Sequence, residues 1–108
     1  MEIIKSKVKE VHILELIGRL DTTNYQALEK ELELLVHEGA SRILLDCKRL
    51  DYVSSSGLRI FLMYFKKLKA LQGELILCSM QENIRQIFEI SNFISIFKTY
   101  ASRDEALA

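Results

Sequence analysis

Apolar residues along the chain follow two patterns, short continuous runs and longer stretches with helical spacing. The segments VHILELIG, RILLDC and ELILCS are nearly continuous in apolar residues, which is typical of strands covered on both faces. IIKSKVKE precedes the first of them, and a tight Lys9-Glu10 turn would join these two strands as a hairpin. The pattern therefore predicts a hairpin followed by two further buried strands.

Two amphipathic helices are predicted between these strands. The first follows capping oxygens at Asp21–Thr23 and stops at Gly39, and the second extends from about Ser56 to Leu71. The predicted core-facing residues are Tyr25, Leu28, Leu32, Leu35 and Val36 in the first helix and Leu58, Phe61, Leu62, Phe65 and Leu68 in the second. Each helix therefore has one face that must pack against the sheet.

The end of the chain predicts smaller elements. QENIRQIFEISNF carries one apolar helical face, ISIFKTY is a candidate last strand, and SRDEALA is a candidate short terminal helix. The predicted order is ββαβαβα(β)α. Such alternation predicts an α/β layer fold, in which an N-terminal β-hairpin joins a mostly parallel sheet with right-handed crossovers and packed helices.

Composition places the chain among ordinary globular proteins. It has 108 residues, of which 49% are hydrophobic and 28% charged, and this predicts a single domain over residues 1–108. Lys and Arg together number 15, as do Asp and Glu, so nothing favours nucleic acid or an anionic membrane as a partner. The sequence has no apolar run long enough to span a bilayer and no recognisable signal peptide. We therefore expect a cytoplasmic protein without membrane insertion.

The loop CKRLDYVSSSG leaves the carboxyl end of a predicted strand, where α/β sheets usually carry function. One of Ser54, Ser55 and Ser56 can cap the following helix, but capping does not need three hydroxyls. Gly57 in the first helical turn costs up to about 1 kcal/mol relative to alanine, which indicates that another group approaches the backbone there. The serine run therefore has the features of an accessible modification or docking site.

Catalysis by this chain is not indicated. The serines lack the glycine-x-serine-x-glycine elbow of hydrolases, and neither His12 nor His37 has a third group that would orient it as a base. The sequence contains no glycine-rich phosphate-binding motif. Cys47 and Cys78 lie in apolar segments and are expected to be small buried side chains, not metal ligands. We therefore expect a non-enzymatic protein without a metal or cofactor.

Three segments resemble the STAS domain family, and in particular its small stand-alone anti-sigma factor antagonists. GRLD follows the second strand, LLDCKRLDYVSSSGLR leads from the third strand into a helix, and ISNF precedes the last strand. Within the second segment, YVSSSGLR is similar to a family pattern of tyrosine, a hydrophobic residue, aspartate or serine, serine, a small residue, glycine and leucine. The resemblance covers essentially the whole chain.

The resemblance implies a phosphorylation site. In this family the serine two positions before the glycine is phosphorylated, and that position is Ser55 here. The best-known members carry aspartate immediately before it, whereas this chain has Ser54, so Ser54 and Ser56 stay open as alternative sites. Asp21 matches the family's aspartate after the second strand, in a loop near the phosphorylated serine. Asp21 either shapes the partner surface or caps the first helix.

The resemblance also implies a partner-switching circuit. The unphosphorylated protein would bind an anti-sigma factor that is also a serine kinase and would thereby release the sigma factor. The kinase, using ATP and magnesium, would inactivate the protein by phosphorylating Ser55, and a PP2C-type phosphatase would restore it. The chain would be a substrate and a competitor, and a weak homodimer is left open.

The second helix predicts the rest of the docking surface. At about 100° per residue, Ile60, Met63 and Lys67 lie opposite the core stripe, with Arg59 and Lys66 beside them. Either this is an exposed apolar patch with a basic rim, or a neighbouring helix covers Ile60 and Met63. The predicted partner-binding residues are Asp21, Ser54, Ser55, Ser56, Gly57, Arg59, Ile60, Met63 and Lys67.

Two alternatives to the sigma-factor circuit stay open. The first keeps the fold and changes the partner: a STAS interaction module in another signalling assembly or in transport machinery. The second is a sensor that binds a small ligand or a nucleotide in a pocket near Asp21 and Ser55. Saturable ligand binding that is lost in Asp21→Ala would identify the sensor.

Overall fold

The strands of the protein lie side by side in the same order as in the sequence. A computed structural model describes residues 1–108 and contains one five-stranded sheet and four helices. The strands are β1 (Glu2–Val8), β2 (Val11–Leu20), β3 (Arg42–Val53), β4 (Glu74–Cys78) and β5 (Lys98–Tyr100). The helices are α1 (Tyr25–His37), α2 (Ser55–Ala70), α3 (Glu82–Ile90) and α4 (Arg103–Leu107). The predicted order of elements is confirmed.

The sheet is antiparallel only where it begins. β1 pairs with β2 in antiparallel register, and the three later pairings, from β2 to β5, are all parallel. Lys9, in the tight turn between β1 and β2, has a left-handed backbone with φ of 54°. This confirms the predicted hairpin and the mixed α/β layer fold.

Each face of the sheet has its own core. Leu45 of β3 belongs to a cluster of 20 buried residues that includes Leu32 of α1, Phe61 of α2 and Phe88 of α3. Its neighbour Leu44 points to the other face and belongs to a cluster of six, to which α4 contributes one residue. Strand side chains alternate between faces, so α1, α2 and α3 cover one side and α4 covers part of the other.

The last strand is shorter than the sequence pattern predicts. The backbone turns before it, since the amides of Ile96 and Phe97 both donate to the Phe93 carbonyl, at 2.9 and 3.3 Å. Phe97 still enters the core, against Phe65 and Phe88. Phe97 is therefore buried from a compact turn while Ile96 stays 39% exposed, and only the last three residues of the run join the sheet.

Both cysteines are buried and free, as the sequence predicts. Cys47 and Cys78 belong to different core clusters, and burial raises the pKa of both thiols, that of Cys78 to about 11. A thiol is nucleophilic as its thiolate, so both side chains act as small apolar groups at neutral pH.

Candidate functional site

The serine run lies at the carboxyl edge of the sheet, where β3 passes into α2. The Ser54 amide donates to the carbonyl of Leu20 at 2.9 Å, which ties the start of α2 to the end of β2. Ser54 has an extended backbone and is the N-cap of α2, and its Oγ accepts from the Gly57 amide at 3.3 Å. Ser54 is therefore the serine with a structural role.

The three serines differ in exposure. Ser55 is the first helical residue and is exposed, whereas Ser54 and Ser56 are half-buried. The first turn of α2 contains no acidic residue, so no side chain of that turn neutralises the positive end of the helix dipole. Ser55 is thus the serine whose hydroxyl is open to solvent beside this positive end.

Gly57 is buried, and the reason for a glycine here lies inside the protein. A Cβ atom at this position would lie 2.8 Å from Leu20 and 2.9 Å from Val53, which is too close for either side chain. The sequence predicted correctly that something approaches this backbone closely. The groups that approach it are side chains of β2 and β3. Gly57 therefore allows α2 to pack closely on the sheet, and it is not accessible to a partner.

Asp21 does not cap the first helix. Its Oδ1 accepts from the amide and the hydroxyl of Thr23, at 2.9 and 2.6 Å, so it closes a turn before the helix. The Thr23 hydroxyl and amide hold the pKa of Asp21 below its ordinary value. Asn24 occupies the N-cap position of α1, although its side chain donates to the Arg19 carbonyl instead of capping. The Asp21 carboxylate thus follows directly after Leu20 in the chain, and the Leu20 carbonyl accepts a hydrogen bond from the Ser54 amide.

Of the two alternatives for the outer face of α2, the covered one is correct for Ile60 and the exposed one for Met63. Ile60 is only 3% exposed and belongs to the main core, whereas Met63 is 38% exposed. The helical spacing of α2 predicts one apolar stripe that faces the sheet, but α1 also packs against a second side of α2. On that side, one turn after Ile60, the Tyr64 hydroxyl donates to Glu33 of α1 at 2.6 Å. Ile60 therefore faces the interior.

The remaining outer face of α2 is basic. The helix carries four basic residues and no acidic one. Lys67 is paired with Glu33, since its Nζ lies 3.0 Å from the Glu33 carboxylate. The hydrogen bonds from Tyr64 and Lys67 lower the pKa of Glu33. Arg59, Met63 and Lys66 are exposed and follow one another at helical spacing. They form a stripe that starts one turn after Ser55, and we call it the α2 stripe.

Sequence reasoning missed a buried charge on the opposite face of the sheet. Asp46 is paired in register with Glu15, and Nε of Arg103 in α4 lies 2.8 Å from its Oδ2. Arg49 neutralises Glu15 at 3.0 Å. The signal was an aspartate inside the apolar run ILLDC, because a carboxylate in a buried strand requires a cation nearby. The partner, Arg103, is distant in sequence and could not be identified from the pattern.

This network lines a cleft with a volume of about 710 Å³. Its lining includes Glu15, Asp46, Lys48 and Arg103. None of the five described clefts is lined by Asp21 or by a serine of the run. The pocket near Asp21 and Ser55 that a small-ligand sensor would need is not among them.

The fold and the site together define a small α/β module that presents an exposed serine hydroxyl at the carboxyl edge of its sheet. The family model described as STAS domain matches residues 2–106, and the chain belongs to that family. The predicted membership of the chain in this family is confirmed. No helix of the protein has the length and apolar character needed to cross a membrane.

Relatives of the chain carry names that describe a function. A Bordetella bronchiseptica protein named "Putative anti-sigma factor antagonist BtrV" is 43% identical over 108 residues, which is 100% of this chain and 93% of the relative. An "Anti-sigma F factor antagonist" of Paenibacillus polymyxa is 26% identical over 98 residues, which is 90% of this chain and 84% of the relative. The chain is thus similar over most of its length to proteins named as anti-sigma factor antagonists.

Solved structures confirm the fold. The anti-sigma factor antagonist SpoIIAA in its unphosphorylated form has a TM-score of 0.85 at 23% identity, over 98% of this chain and 93% of that chain. The Bacillus cell fate determinant SpoIIAA in the phosphorylated form has a TM-score of 0.79 at 24% identity, over 98% of this chain and 96% of that chain. Both forms therefore share the layer arrangement described above.

Proposed function

We propose that this chain is a cytoplasmic anti-sigma factor antagonist controlled by phosphorylation of Ser55. The unphosphorylated protein binds an anti-sigma factor that is also a serine kinase, and the sigma factor is released. The kinase then modifies Ser55, and a PP2C-type phosphatase reverses the modification. The names of the relatives support the regulatory role, and the exposure of Ser55 at the edge of the sheet is the observation that carries the switch.

The division of labour among the serines supports Ser55 as the modified residue. The hydroxyl of Ser54 accepts the Gly57 amide, and phosphorylation there would place a bulky dianion in the cap. Ser56 is half-buried, whereas Ser55 is exposed and needs no movement of the fold to reach a kinase. This assignment also explains why the chain tolerates serine where the best-known members have aspartate, since Ser54 acts as the helix cap.

The α2 stripe and Asp21 supply the rest of the proposed docking surface. Arg59 and Lys66 give it a positive charge and Met63 an apolar centre, in a chain whose overall formal charge is zero. A surface of this kind fits an acidic partner face with an apolar spot. Lys67 is held by Glu33 and contributes less, and Ile60 and Gly57 act from inside by holding the helix in place.

Phosphorylation acts as a local block in this proposal. A phosphate adds about −1.5 to −2 charges and three acceptor oxygens at the centre of the docking surface. Beside the amides at the start of α2 the charge is tolerated, so the fold stays intact. Against an acidic partner face it is repelled and desolvated. A loss of about 3 kcal/mol would weaken binding roughly a hundredfold, which is sufficient for a switch.

Two measurements test the proposal. Intact mass and phosphopeptide mapping of the protein from its native cells under several stresses should show a phosphate on Ser55 whose occupancy changes. Ser55→Ala should then bind the anti-sigma factor kinase of the same cells as tightly as wild type, and Ser55→Asp should bind weakly. Ser56→Ala is the matched control and should behave as wild type throughout.

Contrary outcomes are equally clear. A phosphate found only on Ser54 or Ser56 would retain a switch and contradict our assignment of Ser55. Equal binding by wild type, Ser55→Ala and Ser55→Asp would show that Ser55 does not control the interface. Circular dichroism should show that all variants are folded, which excludes unfolding as the cause of weak binding.

A further inference from the structure

Arg59 is the cation best placed to meet a phosphate on Ser55. The two residues lie four positions apart on α2, and both are exposed. Residues at this spacing are neighbours on a helix surface, and an anion that lies N-terminal to its cation is the favourable orientation for such a pair. Nothing competes for Arg59, because it takes part in none of the seven ion pairs of the protein.

The other nearby cations are occupied or distant. Arg19 stacks over the Tyr52 ring at 4.3 Å, and both Arg19 and the N-terminal ammonium favour the Asp21 carboxylate. Lys67 is paired with Glu33. Lys66 is exposed but lies two turns beyond Arg59 on the helix. Among the residues of α2, a phosphate on Ser55 therefore has one guanidinium without an ion-pair partner within about a turn of it.

We infer that Arg59 is a positioning residue that clamps phosphorylated Ser55 through an intrahelical, bidentate ion pair. The inference rests on the proposed function, since it concerns the state of the site after modification. A guanidinium can donate two parallel hydrogen bonds to phosphate oxygens, which a lysine cannot do. The clamp holds the phosphate on the helix surface and neutralises Arg59.

The clamp gives phosphorylation a second effect on the docking surface. In the unmodified protein Arg59 is an unpaired cation at the start of the α2 stripe, available to an acidic partner. In the modified protein the same guanidinium is bound to the phosphate of its own chain. The switch therefore removes an attractive charge from the surface as well as adding a repulsive one, and the partner meets a more negative helix end.

Phosphorus NMR of a chain with phosphoserine incorporated at position 55 tests the clamp directly. The second pKa of a phosphoserine is about 6, and a neighbouring cation lowers it by favouring the dianion. We expect the phosphate pKa of the wild-type chain to lie about 0.3 pH units below that of Arg59→Gln, the size expected for an i,i+4 pair. Lys66→Gln is the matched control, because it removes an exposed cation of α2 outside contact range.

Three outcomes decide the matter. A phosphate pKa that rises in Arg59→Gln and not in Lys66→Gln, together with slowed exchange of the Arg59 Nε proton on modification, supports the clamp. Equal values in all three chains would overturn it. Equal increases in both variants would also overturn it, because the phosphate would then respond to the general field of α2. Since the phosphoserine is incorporated during synthesis, the result does not depend on whether cells phosphorylate Ser55, which the mapping experiment decides separately.

Discussion

A Cβ atom on Gly57 would lie 2.8 Å from both Cγ and Cδ2 of Leu20, a fully buried side chain of β2. Gly57→Ala should therefore lower the free energy of unfolding by about 1 to 2 kcal/mol, since overpacking outweighs the better helix propensity of alanine. Urea unfolding of the purified variant measures this. A midpoint equal to or above that of wild type would show that Leu20 and Val53 give way without cost.

Ser54 and Ser55 are adjacent, yet their substitutions should have different effects on stability. Ser54→Ala removes the oxygen that accepts from the Gly57 amide and should cost about 1 kcal/mol, the usual value of a lost N-cap. Ser55→Ala removes an exposed hydroxyl and should change stability by no more than about 0.5 kcal/mol. Thermal unfolding of the two variants side by side tests the assignment. The reverse order would mean that Ser55 is the cap.

Substitutions of Ile60 and Met63 should have different effects, the first on the stability of the protein and the second on partner binding. Ile60→Asp places a carboxylate in the main core and should lower the free energy of unfolding by more than about 3 kcal/mol. Met63→Asp should stay within about 0.5 kcal/mol of wild type, because Met63 is 38% exposed, and should weaken binding of the anti-sigma factor kinase. Circular dichroism and a binding titration distinguish the two effects. An Ile60→Asp variant that unfolds at the wild-type midpoint would contradict the burial of Ile60.

Burial of the Tyr64 hydroxyl, which donates to Glu33, makes the free energy of unfolding depend on pH in the alkaline range. Burial, together with this bond, raises the pKa of Tyr64 above its ordinary value of 10.0, so the folded state holds the phenolic proton more tightly than the unfolded chain. Its contribution is complete below that ordinary value and is lost as pH rises above it. Between about pH 10 and 11, the free energy of unfolding should therefore fall more steeply for wild type than for Tyr64→Phe. Parallel slopes in this range would refute the prediction.

Arg103 holds the short helix α4 against the sheet by its ion pair with Asp46. The Asp46 side chain is only 5% exposed, so Arg103→Met should leave a poorly solvated carboxylate and cost about 1 to 3 kcal/mol. Asp104→Ala is the matched control, since Asp104 is an exposed neighbour without an ion pair. Hydrogen exchange should become faster in α4 and β5 of the Arg103 variant alone. An equal effect in both variants would exclude a special role for the ion pair.

Local chemistry was sufficient for the order of elements and for the position of the site. Continuous apolar runs identified β2, β4 and the first half of β3, whose second half, residues 48–53, the pattern assigns to a loop. The three hydroxyls before an apolar helix located the start of α2. These features depend on neighbours within a few residues, such as the Ser54 Oγ that accepts from Gly57. Short-range geometry of this kind is encoded by residue type and spacing, so a sequence pattern can predict it.

Packing between distant segments was decided only in three dimensions. The sequence shows Ile60 opposite the main stripe of its helix, and only the position of α1 makes that side an interior one. Gly57 is required because Leu20, far away in the chain, fills the space of a side chain there. Asp46 likewise forms its ion pair with Arg103, which lies in the last helix. Each of these contacts depends on which helix and strand surfaces pack against each other in the folded protein. The periodicity of one segment does not show which distant segment will pack against it.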